Sequence, residues 1–217
     1  MRRPQLPLSD DFDRPLQFIA VEEDGYARGF CRIAGLDEVG RGPLAGPVVA
    51  AAVILDRVRV PAGIDDSKKL DGPTRARLCG EIRLVAHVGV GIASVEEIDE
   101  INILWATMLA MTRAVDALGI APGHVLVDGN RCPKWHYPSR AVIGGDALCL
   151  SIAAASIIAK HERDRMMLDY DAAHPGYGWA SNKGYATPDH KQALVRLGPT
   201  PLHRRSFAPV AQMLPGI

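Results

Sequence analysis

RIAGLDEVGRGPLAGPVVAAAVIL, residues 32–55, indicates the fold of this chain most clearly. It contains two short apolar runs, 32–37 and 48–55, which are predicted to be buried strands joined by a connection rich in glycine and proline. The first run ends in two acids, Asp37 and Glu38. Charged groups beside a buried run are costly unless something compensates their charge. The segment therefore predicts the beginning of a sheet and a candidate functional site at the end of its first strand.

The remainder of the chain alternates predicted strands with predicted helices. The clearest helix starts are Asp71, which is placed near an N-cap, and the pair Ser94 and Glu97, which has capping-box spacing. In chain order, the elements are a helix at 12–21, a helix at 73–86, a strand at 87–93, a helix from Ser94 to Gly119, strands at 124–127 and 140–143, a helix at 148–170 and a helix that begins at Thr187. This order predicts an α/β domain with a mixed sheet, followed by a helical segment.

Composition limits the class of protein. The chain has 217 residues, of which 47% are hydrophobic, enough for one compact domain with a sizeable core. Lys plus Arg equals Asp plus Glu at 25 each, so the net charge is zero and gives no argument for a nucleic-acid partner. Residues 172–217 nevertheless contain five Lys or Arg and a single Asp. That segment fits either a phosphate-facing surface or a solvated basic helix.

The cysteines and the N-terminal sequence indicate the compartment. The four cysteines form neither a CxxC pair nor a zinc-ligand spacing, and Cys31 and Cys149 lie in apolar runs that predict small core residues. The N-terminus lacks the apolar stretch of a signal peptide, and no apolar run is long enough to span a bilayer. We therefore expect a soluble, cytoplasmic protein without disulfides, and nothing in the sequence demands more than a monomer.

Four carboxylates stand out by their positions: Asp37, Glu38, Asp128 and Asp146. Asp128 ends a predicted strand and Asp146 precedes a predicted helix, so all four abut buried runs. A shared cation would offset the buried charge, and oxygen ligands without a supporting cysteine favour Mg²⁺ or Mn²⁺ over Zn²⁺. The alternative is that each acid caps a helix or pairs with an Arg, which we favour for Asp146 taken alone. Because adjacent strand residues point to opposite faces, either the strand is irregular at Asp37 or Glu38 reaches the ion from another side.

Two loops could contact phosphate. Gly40, Arg41 and Gly42 combine an open backbone with a guanidinium, and an ordinary turn between strands is the alternative. Lys68 and Lys69 lie in an Asp-Ser-Lys-Lys cluster whose lysines and hydroxyl suit phosphate contacts. A solvated loop would explain that cluster as well.

Two later positions complete the candidates. Lys160 ends the run SIAAASIIAK, whose small residues allow close helix packing, and its side chain could emerge near the site. Tyr185 lies in HPGYGWASNKGY, where aromatic rings beside basic residues can stack on sugars or bases. The alternative for Tyr185 is a loop that is anchored by its own aromatic side chains.

Six boxes in this sequence closely resemble bacterial ribonuclease HII. In order they are AGLDEVGRGPLAGPVVAAAVIL, DSKKL, VDGN, GGDALCLSIAAASIIAKHERDR, NKGYATPDH and HRRSF, and they cover about residues 31–210. The resemblance implies a ribonuclease-H-like mixed sheet flanked by helices, with a catalytic domain at 1–170 and a helical appendage at 171–217 in the same structural unit. With the first carboxylate at position 37, the large N-terminal domain of the related ribonuclease HIII is not expected. Asn182 and Ala186 depart from the usual His and Gly of the family.

The resemblance also implies an activity and residue roles. The expected activity is hydrolysis of RNA in RNA–DNA hybrids and incision on the 5′ side of a ribonucleotide embedded in duplex DNA, leaving 3′-hydroxyl and 5′-phosphate ends. The matching positions are Asp37, Glu38, Asp128 and Asp146 for Mg²⁺ or Mn²⁺, Gly40, Arg41 and Gly42 for the ribonucleotide and its 2′-hydroxyl, Lys68 and Lys69 for phosphate, and Tyr185 for stacking at the RNA–DNA junction.

The mechanism that follows is metal-assisted hydrolysis, in which one metal ion activates a water and a second stabilises the departing 3′-oxygen. A non-catalytic hybrid-binding protein is one alternative, but carboxylates would repel a phosphate backbone unless metal intervenes. A hydrolase of small phosphate esters is another, and the basic, aromatic C-terminal segment argues instead for a polymer. The expected partners are RNA–DNA hybrids and ribonucleotide-containing duplexes; the sequence shows no clear sliding-clamp-binding peptide.

Overall fold

A five-stranded mixed sheet forms the centre of the computed structural model, which describes residues 20–213. The strands are β1 (Ile33–Val39), β2 (Val48–Ile54), β3 (His87–Ala93), β4 (His124–Asp128) and β5 (Ser139–Val142), in the order β3-β2-β1-β4-β5. β1 pairs antiparallel with β2 and parallel with β4, β2 pairs antiparallel with β3, and β4 pairs parallel with β5. The predicted mixed sheet is confirmed, with strand boundaries within two residues of those expected from the sequence.

Helices cover both faces of this sheet. They are α1 (Ala20–Ala27), α2 (Gly72–Val85), α3 (Val95–Asp116), α4 (Leu150–Ala173), α5 (Trp179–Asn182), α6 (Pro188–Leu197) and α7 (Ala208–Ala211), with a 3-10 turn at Gly145–Ala147 before α4. The predicted helix at 12–21 lies outside the described residues except for its last two positions, which belong to α1. None of the helices within residues 20–213 has the length and apolarity to cross a membrane.

The alternation of side chains along β1 and β2 divides the core between the two faces. Even-numbered positions such as Leu36 and Ala50 pack with α3, whereas odd-numbered positions such as Ala51 and Val53 pack with α2 and α4. α4 approaches β1 closely because Gly35 has no side chain. A Cβ atom there would lie 2.1 Å from the backbone carbonyl carbon of Ser151. This close approach sets the position of the end of β1 relative to α4.

The predicted helix starts are confirmed at atomic level. The Asp71 side chain accepts from the Thr74 amide, and Ser94 and Glu97 form a reciprocal capping box. A kink in α3 was not predicted. Asn102 has a φ of 65° there, and its side-chain oxygen accepts from the amides of the residues two and three positions later. Asn102 therefore acts as an internal N-cap, a role that suits Asn because it tolerates left-handed backbone.

The C-terminal segment docks on the connection between β1 and β2. Leu44 donates its amide to the Gly184 carbonyl, and Arg204 donates its amide to the Leu44 carbonyl, each at 2.8 Å. Ala45 forms an isolated antiparallel bridge with His203. Arg204 is completely buried, so the basic residues of 172–217 do not all belong to a phosphate-facing surface or a solvated helix.

One core prediction is wrong. Cys149 is buried as expected, but Cys31 is exposed. Cys31 precedes β1 by two residues and lies outside the sheet. The apolar pattern predicts burial only for residues within the strand.

Candidate active site

Two of the predicted carboxylates lie at neighbouring strand ends. β1 and β4 run parallel, and their last paired positions are Leu36 and Val127, so Asp37 and Asp128 follow side by side. Asp37 is only 6% exposed and points toward α4, where the nearby Ser156 hydroxyl opposes the rise in its pKa that burial causes. The Oδ1 atom of Asp37 accepts from the Glu38 amide at 2.7 Å. Parallel pairing thus brings together two acids that are far apart in the chain.

Glu38 lies on the opposite face of β1, so the strand is regular and Glu38 approaches the strand end from another side. Its neighbours on that face are α3 residues, including Thr107 and Met108. Asp128 interacts electrostatically with both Asp37 and Glu38. Asp37 and Glu38 therefore point to opposite faces of a regular strand, and Asp128 on the neighbouring strand lies near both of them.

Asp146 joins this group through the 3-10 turn before α4. It is 9% exposed, and its Oδ2 atom accepts from Lys68 Nζ at 3.0 Å. The amide of its neighbour Gly145 donates to Asp128 Oδ1 at 2.7 Å. The N-cap of α4 is Cys149, which makes no side-chain cap bond, so Asp146 does not cap that helix. The alternative we favoured for Asp146 from its local sequence, a helix cap or an Arg partner, is not what the structure has.

Burial and mutual repulsion raise the pKa values of three of the carboxylates, Asp37, Glu38 and Asp128. Burial raises the pKa of Asp37 well above its usual range, and the charges of Glu38 and Asp128 raise it further. Burial also raises the pKa of Glu38, against the opposing effect of Arg41, whose Nη1 atom lies 3.3 Å from Glu38 Oε1. The pKa of Asp128 is raised by burial and by Asp146, and the Gly145 amide opposes the shift.

Such a cluster of oxygen donors fits a hard divalent cation, which would relieve the repulsion that raises these pKa values. As the side chains stand, no group of three or more His, Cys, Asp or Glu residues within 20–213 is arranged to hold a metal ion directly. Arg41 engages Glu38, and Lys68 engages Asp146. A metal ion bound at these carboxylate oxygens would have to displace both ion pairs.

A cavity of about 360 Å³ opens beside Glu38 and Asp128. Its remaining lining residues are Arg41, Leu104, Thr107, Met108, Met111, Gly129, Asn130 and Arg131. Asn130 and Arg131 are exposed, and neither was among the site residues expected from the sequence. The signal available was their position directly after Asp128, at the carboxyl end of a parallel strand, where ligands usually bind.

The Gly-Arg-Gly loop and Tyr185 lie against each other. An ideal Cβ atom on Gly42 would be 3.5 Å from Tyr185 Cε1, and the Tyr185 side chain is 46% exposed. Gly40 has a φ of 95°, which an L side chain would strain, and a Cβ atom there would lie 2.2 Å from Arg163 Nε. The structure therefore joins residues that the sequence placed in separate candidate sites.

The remaining basic candidates differ in their surroundings. Lys68 bonds Asp146, whereas Lys69 Nζ is exposed and pairs with Asp65 Oδ1 at 3.0 Å. Lys160 Nζ lies 2.7 Å from Asp164 Oδ1, one turn further along α4. The hydroxyl of Ser67 does not face solvent for a phosphate, because it is buried 2.6 Å from Ser156 Oγ. Ser67 instead bonds Ser156, whose hydroxyl opposes the rise in the pKa of Asp37 that burial causes, and no local pattern indicated this.

Comparisons with known proteins identify the family of this chain. The family model for ribonuclease HII matches residues 34–210. Ribonuclease HII of Rhizorhabdus wittichii is 80% identical over 83% of this chain and 89% of its own length. Ribonuclease HII of Parvibaculum lavamentivorans is 60% identical over the whole of this chain and 78% of its own length.

Solved structures agree with the fold. Ribonuclease H2 of Pyrococcus horikoshii aligns with a TM-score of 0.71 at 27% identity, covering 84% of this chain and 96% of that one. Ribonuclease HII of Archaeoglobus fulgidus, solved in complex with PCNA, aligns with a TM-score of 0.69 at 28% identity, covering 81% and 95%. The ribonuclease-H-like fold is therefore confirmed. This chain belongs to the ribonuclease HII family, divalent-metal-dependent endonucleases that cleave the RNA of RNA–DNA hybrids and leave 5′-phosphate ends.

Proposed function

We propose that this enzyme also incises duplex DNA on the 5′ side of a single embedded ribonucleotide, using Asp37, Glu38, Asp128 and Asp146 as metal ligands. The observation that carries the proposal is the adjacency of two kinds of group. Buried carboxylates meet at the ends of β1 and β4, and the Gly-Arg-Gly loop that follows β1 lies beside the Tyr185 ring, 3.5 Å from an ideal Cβ atom on Gly42. Carboxylates for hydrolysis beside a surface that could recognise a sugar, formed by the Gly-Arg-Gly loop and Tyr185, suit a junction between RNA and DNA.

The carboxylates supply the chemical part of the site. Bound Mg²⁺ or Mn²⁺ would supply an activated water and offset the charge on the departing 3′-oxygen. The Glu38 amide donates to the carboxylate of Asp37, and the Gly145 amide donates to that of Asp128, each at 2.7 Å. These bonds restrict the rotation of both acids, so the ligand oxygens are positioned before substrate arrives. We propose that Lys68 and Lys69 contact phosphate; the position of Lys68 Nζ, 3.0 Å from Asp146 Oδ2, supports this for Lys68.

The residues that we propose for recognition of the ribonucleotide come from two segments. Gly40, Arg41 and Gly42 follow β1, and Tyr185 belongs to the helical appendage expected over 171–217. The bonds of this appendage to residues 44–46 support treating it as part of the same structural unit. We propose that Tyr185 stacks at the junction and that Gly-Arg-Gly contacts the ribonucleotide. Lys160, which is paired with Asp164, would contribute to the basic surface along α4.

A single assay tests the proposal. A labelled DNA duplex with one ribonucleotide is incubated with Mg²⁺, with Mn²⁺ and without metal, beside an all-DNA duplex and an RNA–DNA hybrid. We expect one metal-dependent nick 5′ of the ribonucleotide and no cut in the all-DNA duplex. Cleavage of the hybrid with no nick at the single ribonucleotide would refute the proposed incision and leave the family activity intact.

A further inference from the structure

We propose that Arg204 is a positioning residue, which aims the backbone N–H groups of Arg41 and Gly42 at the 2′-hydroxyl of the ribonucleotide. The inference deepens the proposed function and rests on it. Arg204 lies in the HRRSF box near the end of the described residues, far in sequence from the loop that it holds. Its charge would ordinarily suggest a phosphate contact, but none of its surface is exposed.

All hydrogen bonds that the Arg204 guanidinium donates within residues 20–213 go to backbone carbonyls of the loop after β1. Its Nη2 atom donates to the carbonyl of Gly40 at 2.5 Å and to that of Gly46 at 2.7 Å. Nη1 donates to the Arg41 carbonyl at 3.0 Å, and Nε donates to Gly46 at 2.9 Å. Within residues 20–213 no carboxylate forms a salt bridge with this guanidinium. A buried arginine without an acidic partner is unusual, so its bonds to this particular loop require a reason.

Peptide geometry supplies that reason. In a trans peptide unit the C=O and the following N–H point in opposite directions, because the unit is planar. Since the carbonyls of Gly40 and Arg41 both point inward at Arg204, the amides of Arg41 and Gly42 must point outward. Both residues are exposed, and neither amide donates to another residue in the described part of the chain.

Two adjacent, unpaired amides directed at solvent form a donor pair for an oxygen atom. They lie beside the Tyr185 ring, which is 3.5 Å from an ideal Cβ atom on Gly42. Gly40 allows the turn with its φ of 95°. A hydroxyl oxygen on a sugar that stacks against Tyr185 can accept from such a pair, whereas a deoxyribose carbon cannot. Arg204 thereby contributes to the choice of RNA over DNA without touching the substrate.

Arg163 provides a matched control. Its side chain is also completely buried and also donates only to carbonyls, those of Pro47, Lys183 and Ala45. None of these carbonyls belongs to residues 40–42. Arg163 also packs beside this loop, since a Cβ atom on Gly40 would lie 2.2 Å from its Nε atom. Arg163→Lys therefore removes a comparable buried guanidinium at the same loop, while the carbonyls of Gly40 and Arg41 remain bonded to Arg204.

The test compares Arg204→Lys, Arg163→Lys and the wild-type enzyme. For each, KM is measured on a single-ribonucleotide duplex, and the inhibition constant Ki is measured for the matched all-DNA duplex as competitor. The ratio of Ki to KM reports selectivity and does not depend on the fraction of folded enzyme. We expect Arg204→Lys to lower this ratio about 10-fold, equivalent to about 1.4 kcal/mol, and Arg163→Lys to lower only stability and kcat.

The outcomes separate the proposals. An unchanged ratio in folded Arg204→Lys, or an equal fall in both variants, overturns the positioning role while incision stands. Absence of incision by the wild type refutes the proposed function and the inference with it. If Arg204→Lys does not fold, amide NMR of the wild type decides. The Arg41 and Gly42 signals should shift with the ribonucleotide duplex and not with all-DNA, and equal shifts with both duplexes overturn the inference.

Discussion

We expect one buried imidazole, that of His203, to contribute a loss of stability between pH 7 and pH 5. Its Nε2 atom lies 3.2 Å from Nε2 of His190, which also accepts from Trp179 Nε1 at 3.0 Å. His203 must therefore donate to His190, and its Nδ1 atom is left to accept from the Thr200 amide at 3.0 Å. A second proton on His203 would face that amide N–H and break the arrangement.

The magnitude follows from the pKa of His203. Burial, aided by His190, lowers this pKa from the ordinary 6.5 to about 4. The folded state thus binds fewer protons than the unfolded state at acid pH. The stabilisation is complete above 6.5 and is lost as the pH falls from 6.5 toward 4. Linkage gives a loss of about 2 kcal/mol between pH 7 and pH 5, and about 3 kcal/mol in all.

The measurement is the free energy of unfolding by denaturant at several pH values, for the wild type and for His203→Gln. The variant should be less stable at pH 7, since it loses hydrogen bonds, but its stability should fall about 2 kcal/mol less between pH 7 and pH 5. His87→Gln, at an exposed histidine, is the control and should follow the wild-type profile. Parallel profiles for the wild type and His203→Gln would refute the reasoning. Since His190 Nδ1 donates to the Tyr185 carbonyl at 2.8 Å, acid should also loosen Tyr185.

Three further predictions concern the site. Asp37→Asn and Asp128→Asn should each nearly abolish cleavage, and substantial Mg²⁺-dependent activity in both variants would contradict the assignment. Asp37→Asn should also raise the melting temperature in metal-free buffer at pH 7, because it removes a buried carboxyl group whose pKa is raised. Tyr185→Ala should weaken junction incision by the equivalent of about 1–3 kcal/mol, whereas Tyr185→Phe should retain it, and unchanged kinetics in Tyr185→Ala would exclude stacking. Arg41→Ala should lower activity with little change in melting temperature, since the side chain is half exposed; normal activity with a collapsed melting temperature would instead indicate a structural turn.

Local features of the sequence were reliable where the interaction itself is local. The caps at Asp71 and at Ser94 with Glu97 depend on residues three positions apart, so sequence spacing is sufficient to predict them. The strand of 87–93 was predicted with both ends correct, because alternation of side chains is also a local property. The kink at Asn102 was missed because capping within a continuous helical pattern leaves no break in the apolar repeat.

Side-chain partners across the fold could not be predicted in this way. Ser67 resembled a phosphate-binding hydroxyl, and Arg204 resembled part of a basic surface, yet both are buried. Their bonds reach Ser156 and Gly40, which are remote in the chain. Charge and polarity identify what a residue can bond, but the packing of distant segments decides what it does bond.

The two apolar strands around the Gly-Arg-Gly loop, the acids at the end of the first strand and the family follow from the amino-acid sequence alone. The folded chain was needed to show that Asp128 lies beside Asp37, that Glu38 approaches from the opposite face, and that the Tyr185 ring lies beside Gly42. The physical reason is that strand pattern and capping are fixed by neighbours along the chain. The site depends instead on parallel pairing and on a C-terminal segment that folds back, and neither leaves a mark on the local sequence.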